Sequence, residues 1–228
     1  MLVEEAKWIG KEILGLSKKG DKILNIGSSS EDFRTKIQPH IEKYIFKPLR
    51  ENNVMVIHTD IVKEKGVDIV GDLTKPEFIN QLKRKKYDLI LCSNLLEHLT
   101  EKQPIVDAIL EILPKESKAI ITVPHNYPYH LDPIDTMYRP NPNELHQLFI
   151  KTKLVKGEIV KGKSSNKNNS SINYWQKLKG TPIILFKLLV RILFPYYKPK
   201  VWLFTFLSFK NMFSTFSVSC ILIMKQND

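Results

Sequence analysis

Cysteine is scarce in this chain of 228 residues: Cys92 and Cys220 stand far apart inside apolar runs and form no C-x-x-C. That excludes a disulfide framework and a cysteine metal site, and makes both thiols reduced core residues. Glycine is missing where a dinucleotide fold needs it. The loop after the first apolar strand reads Gly27-Ser28-Ser29-Ser30-Glu31-Asp32, so it lacks the G-x-G-x-x-G that cradles a pyrophosphate. An oxidoreductase of that kind is disfavoured. No apolar run reaches the ~18 uninterrupted residues of a membrane-spanning helix. The first eight residues carry acids rather than a basic stretch before an apolar core, so no secretory signal is read and a cytoplasmic location is expected.

Acids are nearly absent from the last third. Residues 1–150 hold 21 Lys and Arg against 22 Asp and Glu, whereas 151–228 hold 14 against 2. All of the excess positive charge therefore lies after residue 150. This asymmetry predicts an anionic partner for that segment, either a membrane surface or a nucleic acid or phosphorylated substrate; a solvated lysine-rich face is the alternative.

What is present organises the chain as one α/β domain, 1–228. Ile9 and Ile13, four apart beside Trp8, predict an amphipathic helix over Glu4 to Leu16. Short apolar strands are read at Lys22 to Ile26 and Val54 to His58, and a further one near Val67 to Leu73. The stretch between the first two contains Pro39 and Pro48 and is longer than one crossover helix needs. Tyr87 to Cys92 and Ala119 to Val123 are continuous apolar runs, the pattern of strands buried on both faces of a parallel sheet. Asn141-Pro142-Asn143-Glu144 predicts a capped helix start. Leu154 to Val160 and Phe216 to Met224 read as the last two strands.

More than ~50 residues separate those two strands, where hairpin loops normally run 2–5. An insertion is therefore placed at 163–215. It begins with a polar stretch, Lys163 to Asn173, and continues as an apolar one, Pro182 to Phe194, with Lys187 and Arg191 on one helical face. Pro195 to Trp202 then mixes aromatics with lysines. Helices of this kind, across 182–210, suit a segment lying on an anionic bilayer, and equally a cap over the domain or its acceptor pocket.

The strand ends carry the chemistry. Ile23-Leu-Asn-Ile-Gly-Ser-Ser-Ser30, Val54 to Asp60, Val67 to Leu73 and Tyr87-Asp-Leu-Ile-Leu-Cys-Ser-Asn-Leu-Leu-Glu-His-Leu99 together resemble the class I S-adenosylmethionine-dependent methyltransferases, over residues 20–160 and the last strand. The resemblance implies a Rossmann-like, mostly parallel sheet flanked by helices, with an antiparallel last strand and here a helical hydrophobic insertion before it. It implies S-adenosylmethionine as cofactor, with Asp60 on the ribose hydroxyls and Asp72 facing the adenine amino group beside Leu73. Gly27, Ser28 and Ser29 would stand at the methionine end, and Ser93 and Asn94 where the family closes over the cofactor. The serine-substituted first loop departs from the family's glycine-rich pattern. Asp72 also suits a cap for the helix beginning near Thr74, and His98 a local hydrogen bond at a helix end.

The segment from Val123 to Pro140 borders the acceptor side in this resemblance and is dense in polar and aromatic groups. His125 and His130 are candidate bases for a hydroxyl acceptor, since imidazole accepts protons near neutrality. Asp132, Asp135 and Arg139 are candidate acceptor-binding groups, and Tyr127, Tyr129 and Tyr138 can stack on a ring. No metal is assigned to His125, His130 and Asp132, which lack further ligands at fixed spacing. The expected activity is methyl transfer to a small-molecule, glycan or lipid-linked acceptor, by a cytoplasmic enzyme peripheral on the inner face of the membrane. Two alternatives stand beside it. A non-catalytic, membrane-associated scaffold accounts for the eroded glycine loop. A nucleic-acid methyltransferase accounts for the basic tail, but the Asn/Asp-Pro-Pro-aromatic signature is absent at Ser93 to Leu96.

Overall fold

Alternation along the strands decides which helices cover each side of the sheet. The computed structural model describes residues 1–129, 134–162 and 215–226. Its strands are β1 (Lys22–Ile26), β2 (Met55–Asp60), β3 (Ile69–Val70), β4 (Leu89–Ser93), β5 (Lys118–Asn126), β6 (Thr152–Gly162) and β7 (Phe216–Lys225). They form one seven-stranded sheet in the order β3-β2-β1-β4-β5-β7-β6. Pairing is parallel from β3 through β5, while β7 runs antiparallel to β5 and β6, as the sequence predicts. Chain order runs outward from β1 to β3 on one side and from β4 to β5 on the other. At such a switch point the loops diverge and leave a crevice at the carboxyl ends of the strands.

Leu24, Ile26, Ile90, Cys92, Ala119 and Ile121 belong to the core under α4 (Pro76–Lys83), α5 (Gln103–Ile112) and α6 (Pro142–Gln147). Their neighbours Ile23, Leu89, Leu91 and Ile120 belong to a second core, with α1 (Val3–Leu16) and the helical stretch 33–51. Burial on both faces explains the unbroken apolar runs of β4 and β5. Each such side chain contributes roughly 2 kcal/mol relative to exposure. Both cysteines are buried free thiols whose pKa burial pushes up.

The long crossover between β1 and β2 is a broken helix rather than a plain one. Two π-helical turns, Phe33–Ile37 and Glu42–Phe46, alternate with α2 (Pro39–Ile41) and α3 (Lys47–Glu51). Pro39 and Pro48 stand in the first turns of α2 and α3, where a missing N–H is tolerated. This stretch meets α1 at Gly10, where a Cβ would lie 2.0 Å from the Tyr44 carbonyl oxygen, so only glycine allows the approach. After β4 comes a single 3₁₀ turn, Leu96–His98, and α5 begins at Gln103 with Pro104 in its first turn.

Asn141 caps α6 as its sequence predicts: Oδ1 accepts the N–H groups of Asn143 (2.9 Å) and Glu144 (3.0 Å), and Glu144 Oε2 accepts that of Asn141 (2.8 Å). β6 ends at Gly162 opposite Phe216, where β7 begins. The insertion expected over 163–215, with its basic apolar part 182–210, lies outside the described residues except for Thr215. Among the described residues, no helix is long and apolar enough to cross a membrane.

Candidate active site

The first loop is built by its own hydrogen bonds. Gly27, at φ +68°, and Ser28 both donate their N–H groups to Thr59 O (3.0 and 3.1 Å), drawing the loop onto the end of β2. Ser29, in the left-handed region at φ +54°, donates its N–H to Asp60 Oδ2 at 2.8 Å, and Val62 N–H reaches Asp60 Oδ1 at 3.2 Å. Ser30 Oγ accepts the N–H of Phe33 at 3.2 Å. Leu95, from the loop after β4, packs over Gly27: a Cβ there would lie 3.2 Å from Leu95 Cδ1.

Arg34 closes this loop from beneath. Only 5% exposed, it donates from Nη1 to Ser28 O and Ser29 O (2.9 and 2.5 Å) and from Nη2 to Gly66 O (2.7 Å). Asn25 and His58 pair across β1 and β2 at 3.0 Å, and burial, with the charges of Arg34 and Arg50, pushes the His58 pKa down to about 3. His58 is therefore neutral at physiological pH. Beyond Asp60, Ile61 is 66% and Val62 55% exposed, an apolar surface beside a half-buried carboxylate.

Asp72 closes a turn ahead of α4 rather than capping it: its Oδ1 accepts the N–H and the hydroxyl of Thr74, both at 2.8 Å, which holds its pKa below the usual carboxylate range, while the cap residue Lys75 makes no side-chain cap bond. Leu73 is buried in the core under α4.

At the end of β4, Asn94 adopts φ +50° and donates its backbone N–H to Thr122 O at 2.9 Å. Its side-chain amide donates to Glu5 Oε1 at 2.7 Å, as does the Thr122 hydroxyl at 2.7 Å. Glu5, fully buried on α1, also accepts the Leu2 N–H at 3.0 Å. The N-terminal helix is thus tied to the ends of β4 and β5. Ser93, half-buried, ends β4 just before this knot.

Glu97 is 1% exposed, with Oε1 3.8 Å from His98 Nε2 and Oε2 without a partner among the described residues. Burial above all, with the nearby charge of Glu5, pushes its pKa up to about 8. Its backbone oxygen accepts both the N–H and the hydroxyl of Thr136 at 2.9 Å, and His98 Nδ1 donates to Ile134 O at 2.5 Å. The turn after β4 therefore holds the loop between β5 and α6.

That loop is pinned further along. His125 Nδ1 donates to Pro140 O at 3.1 Å, and Ser219 Oγ on β7 donates to the same oxygen at 2.6 Å. The buried Asp135 and the half-buried Arg139 form an ion pair at 2.5 Å, and Arg139 Nε donates to Tyr127 O at 3.2 Å. The Tyr127 ring lies 5.0 Å from that of Phe216, and Lys102 Nζ stands 4.7 Å over the Tyr138 ring. Met137, Tyr138, Arg139 and Pro140 face Glu144, Gln147 and Leu148 of the α6 region across an open cavity of about 460 Å³. His125, Tyr127, Asp135, Tyr138 and Arg139 thus share one loop system, while Tyr129 is exposed. His130 and Asp132 lie outside the described residues. Among the described residues, no three His, Cys, Asp or Glu side chains gather as metal ligands.

Four participants escape the sequence reading. Glu5 leaves a trace, an acid on the buried stripe of Leu2, Ile9 and Ile13. Ile61-Val62 leaves another, an apolar pair after a strand-end acid. Glu97 sits in the quoted Glu-His-Leu but shows nothing of its burial, and Arg34 leaves no local signal.

No protein-family model and no curated protein matches the chain. Solved structures do. Coclaurine N-methyltransferase bound to N-methylheliamine and S-adenosylhomocysteine superposes with TM-score 0.54 at 14% identity, over 97% of this chain and 70% of that one. The Haemonchus contortus phosphoethanolamine N-methyltransferase 2, in complex with phosphomonomethylethanolamine and S-adenosylhomocysteine, gives 0.51 at 12% identity over 98% of this chain and 52% of that one. The 4+2 cyclase SpnF gives 0.51 at 11% identity over 97% and 81%. At such identities the likeness concerns architecture, and with the strand order, the reversed β7 and the acid at the end of β2 it establishes that the chain has the fold of the class I S-adenosylmethionine-dependent methyltransferases.

Proposed function

We propose that this chain is an S-adenosylmethionine-dependent methyltransferase acting on a small molecule. The observation that carries this reading is Asp60, held at the end of β2 beside the switch point with the exposed Ile61 and Val62 next to it. Each Asp60 oxygen accepts one backbone N–H and keeps lone-pair capacity for a ligand hydroxyl. The residues fit the cofactor. Asp60 would hold the ribose hydroxyls, Ile61 and Val62 would face the purine, and Gly27, Ser28 and Ser29 would receive the methionine end. Asp72, Leu73, Ser93 and Asn94 would complete the enclosure. When bound, the cofactor supplies a methyl group on a cationic sulfonium. Two neighbours named as N-methyltransferases, both in complex with S-adenosylhomocysteine, support the reading.

Acceptor chemistry belongs to the loop between β5 and α6. For a hydroxyl acceptor, on a glycan precursor or a lipid-linked sugar, His125 or His130 removes the proton. The Nδ1–H of His125 is committed to Pro140 O, which leaves Nε2 as its basic nitrogen. Tyr127, Tyr129 and Tyr138 stack on the acceptor, and Asp132, Asp135 and Arg139 hydrogen-bond it. A second reading, an amine acceptor, is favoured by Glu97: its buried carboxyl behind His98 suits accepting the proton that an ammonium must lose before attack. The basic last third supports attachment to an anionic membrane face, and deleting 163–215 should abolish vesicle binding if the insertion makes that contact.

Calorimetric titration with S-adenosylhomocysteine tests the core of the reading. Micromolar binding, weakened at least ~10-fold by Asp60→Ala, is the expected result for a charge-assisted contact. No binding by the unaltered chain would favour the non-catalytic scaffold. Alanine at His125 or His130 should then lower turnover of a hydroxyl acceptor with cofactor affinity retained, and Glu97→Gln should do so for an amine.

A further inference from the structure

We propose that Arg34 is the positioning residue through which this chain reads the cofactor's carboxylate: a buried guanidinium, in place of a run of glycines, shapes the Ser28–Ser30 turn and places positive potential beneath it. The inference rests on the cofactor reading above.

The geometry is specific. A trans peptide points its C=O and N–H in opposite directions. Drawing Ser28 O onto Nη1 therefore turns the Ser29 N–H the other way, where it meets Asp60 Oδ2 at 2.8 Å. Drawing Ser29 O onto the same nitrogen turns the Ser30 N–H away from the guanidinium. One side chain thus sets two successive peptide planes of the turn.

Arg34 also joins the first loop to the second through Gly66 O, and Glu31 N–H reinforces the junction by donating to Lys65 O at 2.7 Å. Gly66 stands at φ +79°, and a Cβ there would lie 2.8 Å from Arg34 Nη2 and 2.6 Å from Glu31 Cβ. The glycine that this device needs stands in the second loop.

Charge completes the argument. All three acceptors of Arg34 are neutral carbonyls, and among the described residues no carboxylate reaches it in an ion pair. Burial lowers its pKa from the ordinary arginine value, and Asp68, Glu31, Glu42 and Asp60, within electrostatic range, work against that shift. A guanidinium stays protonated in such surroundings. That charge, offset in part by the four acids around it, adds to the turn's N–H groups in favouring a carboxylate there.

The test compares two ligands that differ at the amino-acid end: S-adenosylhomocysteine carries an ammonium and a carboxylate there, of which only the carboxylate is attracted by a guanidinium, and 5′-methylthioadenosine carries a methyl group. In calorimetric titrations of the full chain, Arg34→Met should weaken S-adenosylhomocysteine about 10- to 100-fold, the span of a charge-assisted contact, and 5′-methylthioadenosine less than ~3-fold. Arg34→Lys keeps the charge without the fork and should recover part of the difference. Gly66→Ala displaces the guanidinium while keeping the arginine, and should reproduce the selective loss should Arg34→Met fail to fold. Equal losses for both ligands, or unchanged S-adenosylhomocysteine affinity in a folded variant, would overturn the inference and leave the cofactor reading standing. Absence of binding of either ligand by the unaltered chain would overturn both.

Discussion

On the β1–β2 side of the carboxyl edge, main-chain groups and one buried guanidinium close short loops onto each other; on the β4–β5–β7 side, side chains reach across long sequence separations to hold carbonyl oxygens of one irregular loop. The first half holds Gly27 to Asp60 through bonds to Thr59 O, Asp60 and Arg34. The second joins Glu97 to Thr136, His98 to Ile134, His125 and Ser219 to Pro140, and Arg139 to Tyr127. A ligand common to a whole fold needs walls that stay put, whereas an acceptor site is varied by changing the contents of a loop on a fixed scaffold. The two halves are therefore expected to fail separately.

Asp135→Ala should separate them most sharply. It leaves the half-buried Arg139 without its carboxylate, and breaking such a pair costs about 3 kcal/mol, the low end of the range for buried pairs. Urea unfolding should register the loss, and the double variant Asp135→Ala/Arg139→Met should restore much of it. S-adenosylhomocysteine affinity should stay within ~2-fold wherever the variant is folded, because the Asp135 bonds to Arg139 and to the Met137 N–H lie within its own loop. A parallel fall in affinity would show that the halves are one unit.

Glu5 tests the seam between them. It accepts from Leu2, Asn94 and Thr122, so alanine leaves two buried donors and one half-buried donor unsatisfied. A loss of about 2–3 kcal/mol is expected, read by denaturant midpoint at unchanged slope. Because Asn94 immediately precedes Leu95, which packs over Gly27, this variant should weaken cofactor binding as well.

The first half was legible where chemistry follows strand periodicity. Asp60 comes at the end of an apolar run, and a strand-end acid is visible in one dimension; the same holds for the Asn141 cap and the doubly buried β4 and β5. What escaped depends on distance in sequence. Arg34 matters because Gly66 lies against it, and nothing near either residue records that pairing. Glu5 matters through Thr122, 117 positions away. In the second half the residue types were read correctly as polar and aromatic. Their partners are backbone carbonyls, which carry no sequence identity, so the network among His125, Pro140 and Ser219 had no signature to read.

Glu97 supplies a pH test confined to the acceptor half. Its folded pKa, about 8, lies above the ordinary carboxylate value of 4.5, so the fold favours the protonated form. Its contribution is complete below the ordinary value and is lost as pH rises toward 8, where the folded group also ionises. Across that window stability should fall by up to about 1.4 kcal/mol per pH unit from this group. Denaturant unfolding at pH 5 through 8 should show the slope, and Glu97→Gln, neutral throughout, should flatten it. An equal slope in both proteins would assign the pH dependence elsewhere.

The smallest effect belongs to Ile61. At 66% exposure it contributes little to the core, and Ile61→Ala should change unfolding free energy by no more than about 0.5 kcal/mol. If the purine lies against it, the same truncation removes buried contact from the complex and should weaken S-adenosylhomocysteine about 3- to 10-fold, on the order of 1 kcal/mol for one or two methylene equivalents. The pairing of an unchanged fold with weaker binding is what a surface kept apolar for a ligand produces. Equal binding by both proteins would instead make Ile61 and Val62 incidental surface, and would leave Asp60 to define the cofactor half without an apolar partner.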